Sequence, residues 1–416
     1  MSQTYIRSDA VTVSSLRLTA SNGKAFNISD QVAQFSIYED VMFPVIRAEF
    51  VIFDGVDYLN TIPIIGEEDL EVEFSNPGFE STQFKFKVKS IENTMIMPQG
   101  KMKTYVLRAV SEEMFINNTR YITRKYTTEA WNIVMDIISN DLDTNKPFGV
   151  GDETKGVQDI LISRLRPLQA IDMIRRRSVS LDNHSSSYVF FENKRGFNFA
   201  SLEFLLTNQE NVIKDKIFFY DTAGNSDARN LTTRSVLSLY NVSQVNNTKK
   251  MIYGGLNNIV KKFDLFTGET SETLYVNSQD QQKFKFASKN PRPLNTNKFE
   301  QEYGQAASLS MLVPYSSHLP ETYIAESLGL KNSFVTKISQ NIYHAYVNGD
   351  TVLTAGDVIT VKVPTIVGTG EATENRLLAG NYLISKLRHI VINASSAQKT
   401  YHCSMELIKG TYEDYA

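Results

Sequence analysis

Apolar and charged positions alternate with period two through much of the first 110 residues. Leu70-Glu71-Val72-Glu73-Phe74 and Phe84-Lys85-Phe86-Lys87-Val88 set apolar side chains on one face and charges on the other, as half-buried strands do. Ile46, Ala48, Phe50 and Ile52 make a third such face, which Asp54-Gly55 breaks. Ala33, Phe35 and Ile37 follow the polar turn at Ser21-Asn22-Gly23, and Tyr105, Leu107 and Ala109 follow the turn at Pro98-Gln99-Gly100. Five or six strands separated by turn signals predict an antiparallel barrel or sandwich.

The period then changes. Thr127-Thr128-Glu129 reads as a helix start, with a threonine cap and an acid in the first turn. Trp131, Val134 and Ile138, with Ile133 and Ile137, follow at helical spacing, and Asn140-Asp141 and Pro147 end the segment. A second helix opens at Arg166-Pro167, where proline suits the first helical position, with Leu168, Ile171 and Ile174 as its buried stripe. Tyr188-Val189-Phe190-Phe191-Glu192, a turn at 193–196 and Phe197-Asn198-Phe199 predict a hairpin with aromatics on both arms.

Strand character returns at 236–242 and 259–265. Residues 277–334 are rich in Gln, Asn, Ser and Lys and carry Pro291, Pro293 and Pro314, which predicts an arm or insertion with a short helix near 321–330. The end of the chain is β again, through Tyr343, Ala345 and Val347, then Val358 to Val363, then Leu383 to Ile390. Tyr401, Cys403, Met405 and Leu407 close it. The expected division is a first β domain at 1–110, an α/β module at 111–217 and the start of a second β domain at 218–276. A polar insertion at 277–334 and the rest of the second β domain at 335–416 complete it.

A chain of 416 residues and 47.1 kDa is long enough for two to four domains. Lys plus Arg number 43 against 46 for Asp plus Glu, a net charge of −3, which argues against a protein that coats nucleic acid and so against specific nucleic-acid binding. The first 110 residues are the acidic part, with 10 basic and 14 acidic side chains. Cys403 is the single cysteine, so no intrachain disulfide and no cysteine-based metal site can form, and the five histidines are scattered. No apolar run approaches the ~18 residues of a membrane span, and no signal-peptide pattern opens the chain, so a cytoplasmic origin without membrane span is expected.

Candidate chemistry is sparse. Gly149, Gly151 and Gly156 match neither spacing of the phosphate-binding loops and read as a loop. Arg175-Arg176-Arg177, with Arg164 and Arg166 nearby, reads first as a solvated helix end and second as a subunit contact. Asp350 and Asp357 each follow a glycine but lack the dense oxygens of a calcium loop. His184-Ser185-Ser186-Ser187 has no nucleophile elbow around it, and Glu67-Glu68-Asp69 has no second carboxylate opposite. Cys403 belongs to the apolar face of a strand. No catalytic, cofactor-binding or metal residue is assigned.

Three segments together carry a family likeness. Arg164 to Ile171 followed by Tyr188 to Glu192 and Gly196 to Phe199, then Ile252-Tyr253-Gly254-Gly255 through Phe263-Asp264-Leu265, then Gly349-Asp350, Gly356-Asp357 and Leu378 to His389, resemble in order the baseplate hub proteins of contractile-tailed bacteriophages. They also resemble the first half of type VI secretion spike proteins. The resemblance implies a mainly β fold with α+β character: two tail-tube-like antiparallel β-barrels plus an inserted α/β module. It implies a homotrimeric ring in the virion tail baseplate that adapts a six-fold tail tube to a three-fold central spike and forms part of the channel for genome delivery. The implied partners are the spike, the tube or its initiator, and the tape-measure and baseplate wedge proteins. Catalysis is not expected, and no cofactor. A tail-associated cell-wall hydrolase or a carbohydrate-binding protein is the alternative; the first lacks a paired-carboxylate or Cys/His cleft, and the second lacks aromatic platforms, Trp131 being the only tryptophan.

Overall fold

A computed structural model of the chain describes residues 9–409 except 62–63, 67, 78, 98–101, 183–184, 208–211, 221–234, 244–247, 249–251, 255–256, 277–308, 316–323, 340, 365–374, 376–377 and 393–397. The turn at Pro98-Gln99-Gly100, His184 and most of the polar insertion therefore lie outside the described residues.

The alternating segments of the first part form an antiparallel sheet. Its strands are β1 (Thr12–Thr19), β2 (Ala25–Asn27), β3 (Val32–Asp40), β4 (Arg47–Asp54), β5 (Asp69–Ser75), β6 (Thr82–Ile96) and β7 (Lys103–Val110), in the spatial order β3-β4-β7-β6-β5-β1-β2. Leu70, Val72 and Phe74 are buried while Glu71 and Glu73 face outward, as period two requires. Phe35, Phe50 and Phe74 pack ring against ring inside.

A six-stranded barrel closes at the other end of the chain. It consists of β13 (Val212–Tyr220), β14 (Ser235–Ser243), β18 (Ile342–Asn348), β19 (Val358–Lys362), β20 (Gly380–Ile392) and β21 (Thr400–Ile408), in the order β19-β13-β14-β18-β21-β20, with β20 returning to pair with β19. Among the barrel's described ladders, the two of β13 are parallel and the rest antiparallel. Strand β20 is long enough to serve two partners along one edge: Gly380 to Leu383 pair with β19, and Lys386 to Ile392 pair with β3. The barrel and the first sheet are thus one continuous 13-stranded sheet with one shared hydrophobic core.

Between them lies the α/β module. Its ribbon is β8 (Ile122–Glu129) with β10 (Val157–Leu165), and its sheet is β9 (Phe148–Val150), β12 (Gly196–Ser201) and β11 (Tyr188–Asn193). Helix α2 (Glu113–Thr119) leads in, and α1 (Tyr58–Thr61) is a single turn in the first sheet. Helix α3 (Ala130–Asp136) starts later than the sequence predicts: Thr127 and Thr128 pair with Asp159 and Gln158 in the ribbon, where β-branched residues fit well. It continues as a π-helical turn over Ile137–Asp141. Helix α4 (Pro167–Arg177) begins at the predicted proline, and the Gln169 side chain accepts from the Arg166 N–H at 3.2 Å.

Residues 257–276, expected at the start of the second barrel, belong elsewhere. Strands β15 (Asn257–Asp264) and β16 (Thr270–Val276) pair with β17 (Leu309–Tyr315) in a separate three-stranded sheet. The reason is a competing apolar surface. The helix of Ile324–Ile338, which follows α5 (Leu202–Thr207) and is here α6, packs on β15, where Val260 is buried and Asn258 donates to the Gly254 and Gly329 carbonyls. This helix is also longer than the one predicted near 321–330.

Candidate functional site

The β11–β12 hairpin is buried on both faces, which explains its unbroken run of aromatics. Tyr188, Phe190, Phe197 and Phe199 enter the module's own core with Ile133, Ile137, Ile171 and Ile174. Val189, Phe191 and Ala200 pack the other way, against Phe334 and Ile338 of α6 and Val358 and Leu383 of the barrel. Its two-residue tip, Lys194-Arg195, is therefore delivered to the seam between the first sheet and the barrel.

Side chains of the tip and of both sheets lock it there. Arg195 makes a bidentate pair with Asp357, each N···O distance being 2.8 Å. Lys194 Nζ donates to the carbonyls of Thr351 and Val352, and its backbone N–H donates to Glu39 Oε1 at 3.2 Å. Glu39, at the end of β3, also accepts from Thr354 Oγ1 at 2.5 Å and the Ala355 N–H at 2.7 Å. Asn193 donates to the Ala355 carbonyl at 3.0 Å. Asn76 of the first sheet clamps the same loop, donating to Gly349 O and accepting from the Thr351 N–H. Elements 39, 76, 193–195 and 349–357 thus meet at one point although they are far apart in sequence.

A second ionic cluster sits alongside. Lys146 Nζ lies 2.7 Å from Glu113 Oε2 and 2.6 Å from Glu192 Oε1, and the other Glu192 oxygen accepts from the Ile46 N–H at 3.0 Å. The two carboxylates are almost wholly buried, at 5% and 3% side-chain exposure, and Lys146 is 34% exposed. A cleft of about 250 Å³ opens beside both clusters, lined by Phe84, Phe86, Lys146, Glu192, Lys194 and Arg195 among others.

Burial sets the electrostatics. It pushes the Glu39 carboxyl up to about 7 in spite of three donors, because removing a charge from water outweighs the hydrogen bonds. Burial likewise raises Glu192 and Asp357 and lowers Lys194. For Lys146, burial pulls downward but the two carboxylates outweigh it, leaving the ammonium above its ordinary value. The arrangement has the chemistry of a fastening: cations held by carboxylates and carbonyls, with the backbone of Gly196 at φ +127° and pressed so close to Pro147 O that a Cβ would sit 2.2 Å away.

Gly149 and Gly151 line β9 and its exit, where a Cβ on Gly151 would meet Ala200 and Phe204 at 2.5 and 2.8 Å, so they serve close packing. Ser185, Ser186 and Ser187 are buried, and Ser187 donates to Glu203. Arg175 and Arg176 both pair with Asp172, and Arg175 also donates to the Tyr188 carbonyl. Cys403 is fully buried, 3.5 Å from the Tyr401 hydroxyl and 3.6 Å from His389 Nδ1. Asp357 follows a glycine in one turn and its partner Arg195 lies 162 residues away in another, so no local pattern joins them. The one available signal was the placing of two cations at the tip of a hairpin apolar on both arms.

Geometry of this kind defines a class by fold: a β-barrel fused edge to edge with a second β-sheet, with an α/β module keyed into the seam. Two solved structures share it over nearly their whole length. A tail protein from Neisseria meningitidis MC58 superposes with a TM-score of 0.58 at 9% identity, covering 95% of this chain and 96% of that one. The 43 kDa tail protein of prophage MuSo2 from Shewanella oneidensis superposes with a TM-score of 0.57 at 9% identity, covering 96% and 99%. At such identity the likeness is one of fold. No protein-family model and no curated protein sequence matches the chain.

Proposed function

We propose that this chain is a structural component of a phage tail, the baseplate hub, acting without catalysis or cofactor. The observation that carries the reading is the fusion of two β units into one sheet through β20 and β3, in a fold shared end to end with two tail proteins. Three copies of a two-unit chain offer six β units around an axis, so a trimer can face six-fold symmetry on one side and three-fold symmetry on the other. In this reading the partners are the tail tube or its initiator and a central spike, with the tape-measure and baseplate wedge proteins around them, and the chain resides in the virion tail after assembly in the host cytoplasm. In this reading the first β domain, at 1–110, and the barrel of β13, β14 and β18 to β21 are the ring's repeated units, with the α/β module between them. The buried ionic clasp fits such a role, because a part that transmits force needs its units fixed against sliding. The ring lumen passes DNA without holding it, in keeping with a net charge of −3 and no positive excess to retain phosphates. Electron microscopy of the purified chain, alone and mixed with the spike, tests this: class averages should show a three-fold ring with six lobes and a central opening. Single particles without symmetry under both conditions would refute it.

A further inference from the structure

The arginines singled out in the sequence separate into two groups. Arg175 and Arg176 are tied to Asp172, whereas Arg164 and Arg166 flank the ring of Tyr121. Their guanidinium carbons lie 5.7 and 5.9 Å from the ring centroid, within cation–π range, and Tyr121 is 55% exposed. Arg166 donates to Asn118 Oδ1 at 3.2 Å; among the described residues neither arginine has a carboxylate partner. The neighbouring cations are occupied, Arg120 by Asp143 and Arg124 by Asp136 and Asp141. Among the described residues, Arg164 is also one of four non-glycine residues with positive φ, at 49°. L-residues rarely adopt that backbone conformation, so it is a local feature that the surrounding structure has to impose. Its N–H is secured by Thr123 Oγ1 at 3.2 Å.

We infer that Tyr121, Arg164 and Arg166 form a docking surface for an acidic segment of another protein chain. Two planar guanidinium groups oriented by one aromatic ring and left without internal carboxylates match paired carboxylates, which arginine binds in bidentate fashion. Nucleic acid is the less suitable occupant. Phosphate-tracking surfaces draw their affinity from many cations acting together along the strand, and here the cations on either side are already neutralised by aspartates. The surface stands whether or not the chain forms a ring.

The test uses the full chain with two fluorescent probes, a hexaglutamate peptide and a 20-nucleotide oligothymidylate, followed by anisotropy at 20 and 150 mM salt. The wild type should bind the peptide in preference. Arg164→Glu with Arg166→Glu should weaken that binding at least tenfold without moving the thermal midpoint, and Tyr121→Ala should weaken it less. Lys85→Glu with Lys261→Glu, an equal charge change elsewhere, should leave it intact. The inference falls if the peptide does not bind at 20 mM salt, if both double variants lose it equally, or if the oligonucleotide binds more tightly.

Discussion

Replacing Lys146 with methionine isolates the electrostatics of the module's seam. Methionine keeps the stem and removes the ammonium, leaving Glu113 and Glu192 facing one another with their side chains 5% and 3% exposed. Breaking a buried ion pair by removing one partner costs about 3–5 kcal/mol. Lys146 is itself 34% exposed, so solvent screens part of the loss, and we expect about 3 kcal/mol at pH 8. With an unfolding entropy of about 2 cal/mol/K per residue over the 416-residue chain, that is a fall of roughly 3–4 °C if the molecule unfolds as a unit. The sign of the pH dependence is the sharper test. Burial already raises the Glu192 carboxyl, and without the lysine it takes up a proton more readily, so the loss should shrink markedly at pH 5. Adding Glu192→Gln should recover much of the stability, since the amide oxygen can still accept from the Ile46 N–H. Differential scanning calorimetry and urea titration at pH 5 and 8 measure all three proteins. Equal losses at both pH values would refute the reasoning, because they would place the effect in packing and not in charge.

Further outcomes follow from the same geometry. Burial raises Glu39 and Glu203 from an ordinary value of 4.5 to about 7, so the folded state holds protons that the unfolded chain has released. This contribution is full below about pH 4.5 and is lost as pH rises through 7; urea midpoints should therefore fall between pH 6 and 8, and Glu39→Gln should flatten part of that slope. Gly196→Ala should cost about 3 kcal/mol or more, from an unfavourable φ and a collision with Pro147 O, and should expose the hairpin to limited proteolysis; wild-type resistance in the variant would contradict this. Burial pushes the Cys403 thiol up to about 12, so a thiol reagent at pH 8 should label it only once urea unfolds the barrel.

Local signals made much of the fold legible. The Leu70-to-Phe74 alternation, the Arg166-Pro167 helix start and the Tyr188-to-Phe199 hairpin each depend on neighbours within a dozen residues, and each is where the sequence puts it. The register of β20 on β3 joins residues such as Arg388 and Tyr38, about 350 positions apart, and no local pattern encodes it. Thr127 and Thr128 mislead because a threonine before an acid suits both a helix cap and a ribbon, and only the pairing with β10 decides. The clasp was hidden for the same reason as the fused sheet. Lys194-Arg195 looks like any polar turn until Glu39 and Asp357 are brought to it from opposite ends of the chain.

The solution mass of the purified chain, by light scattering, alone and with the candidate spike protein, bears most directly on the proposed hub. The account predicts a particle of about three times 47.1 kDa for the chain alone, or, on adding the spike, a complex heavier by the spike's own mass that holds three copies of this chain. A 47.1 kDa monomer indifferent to the spike would contradict it and remove the symmetry on which the hub reading rests.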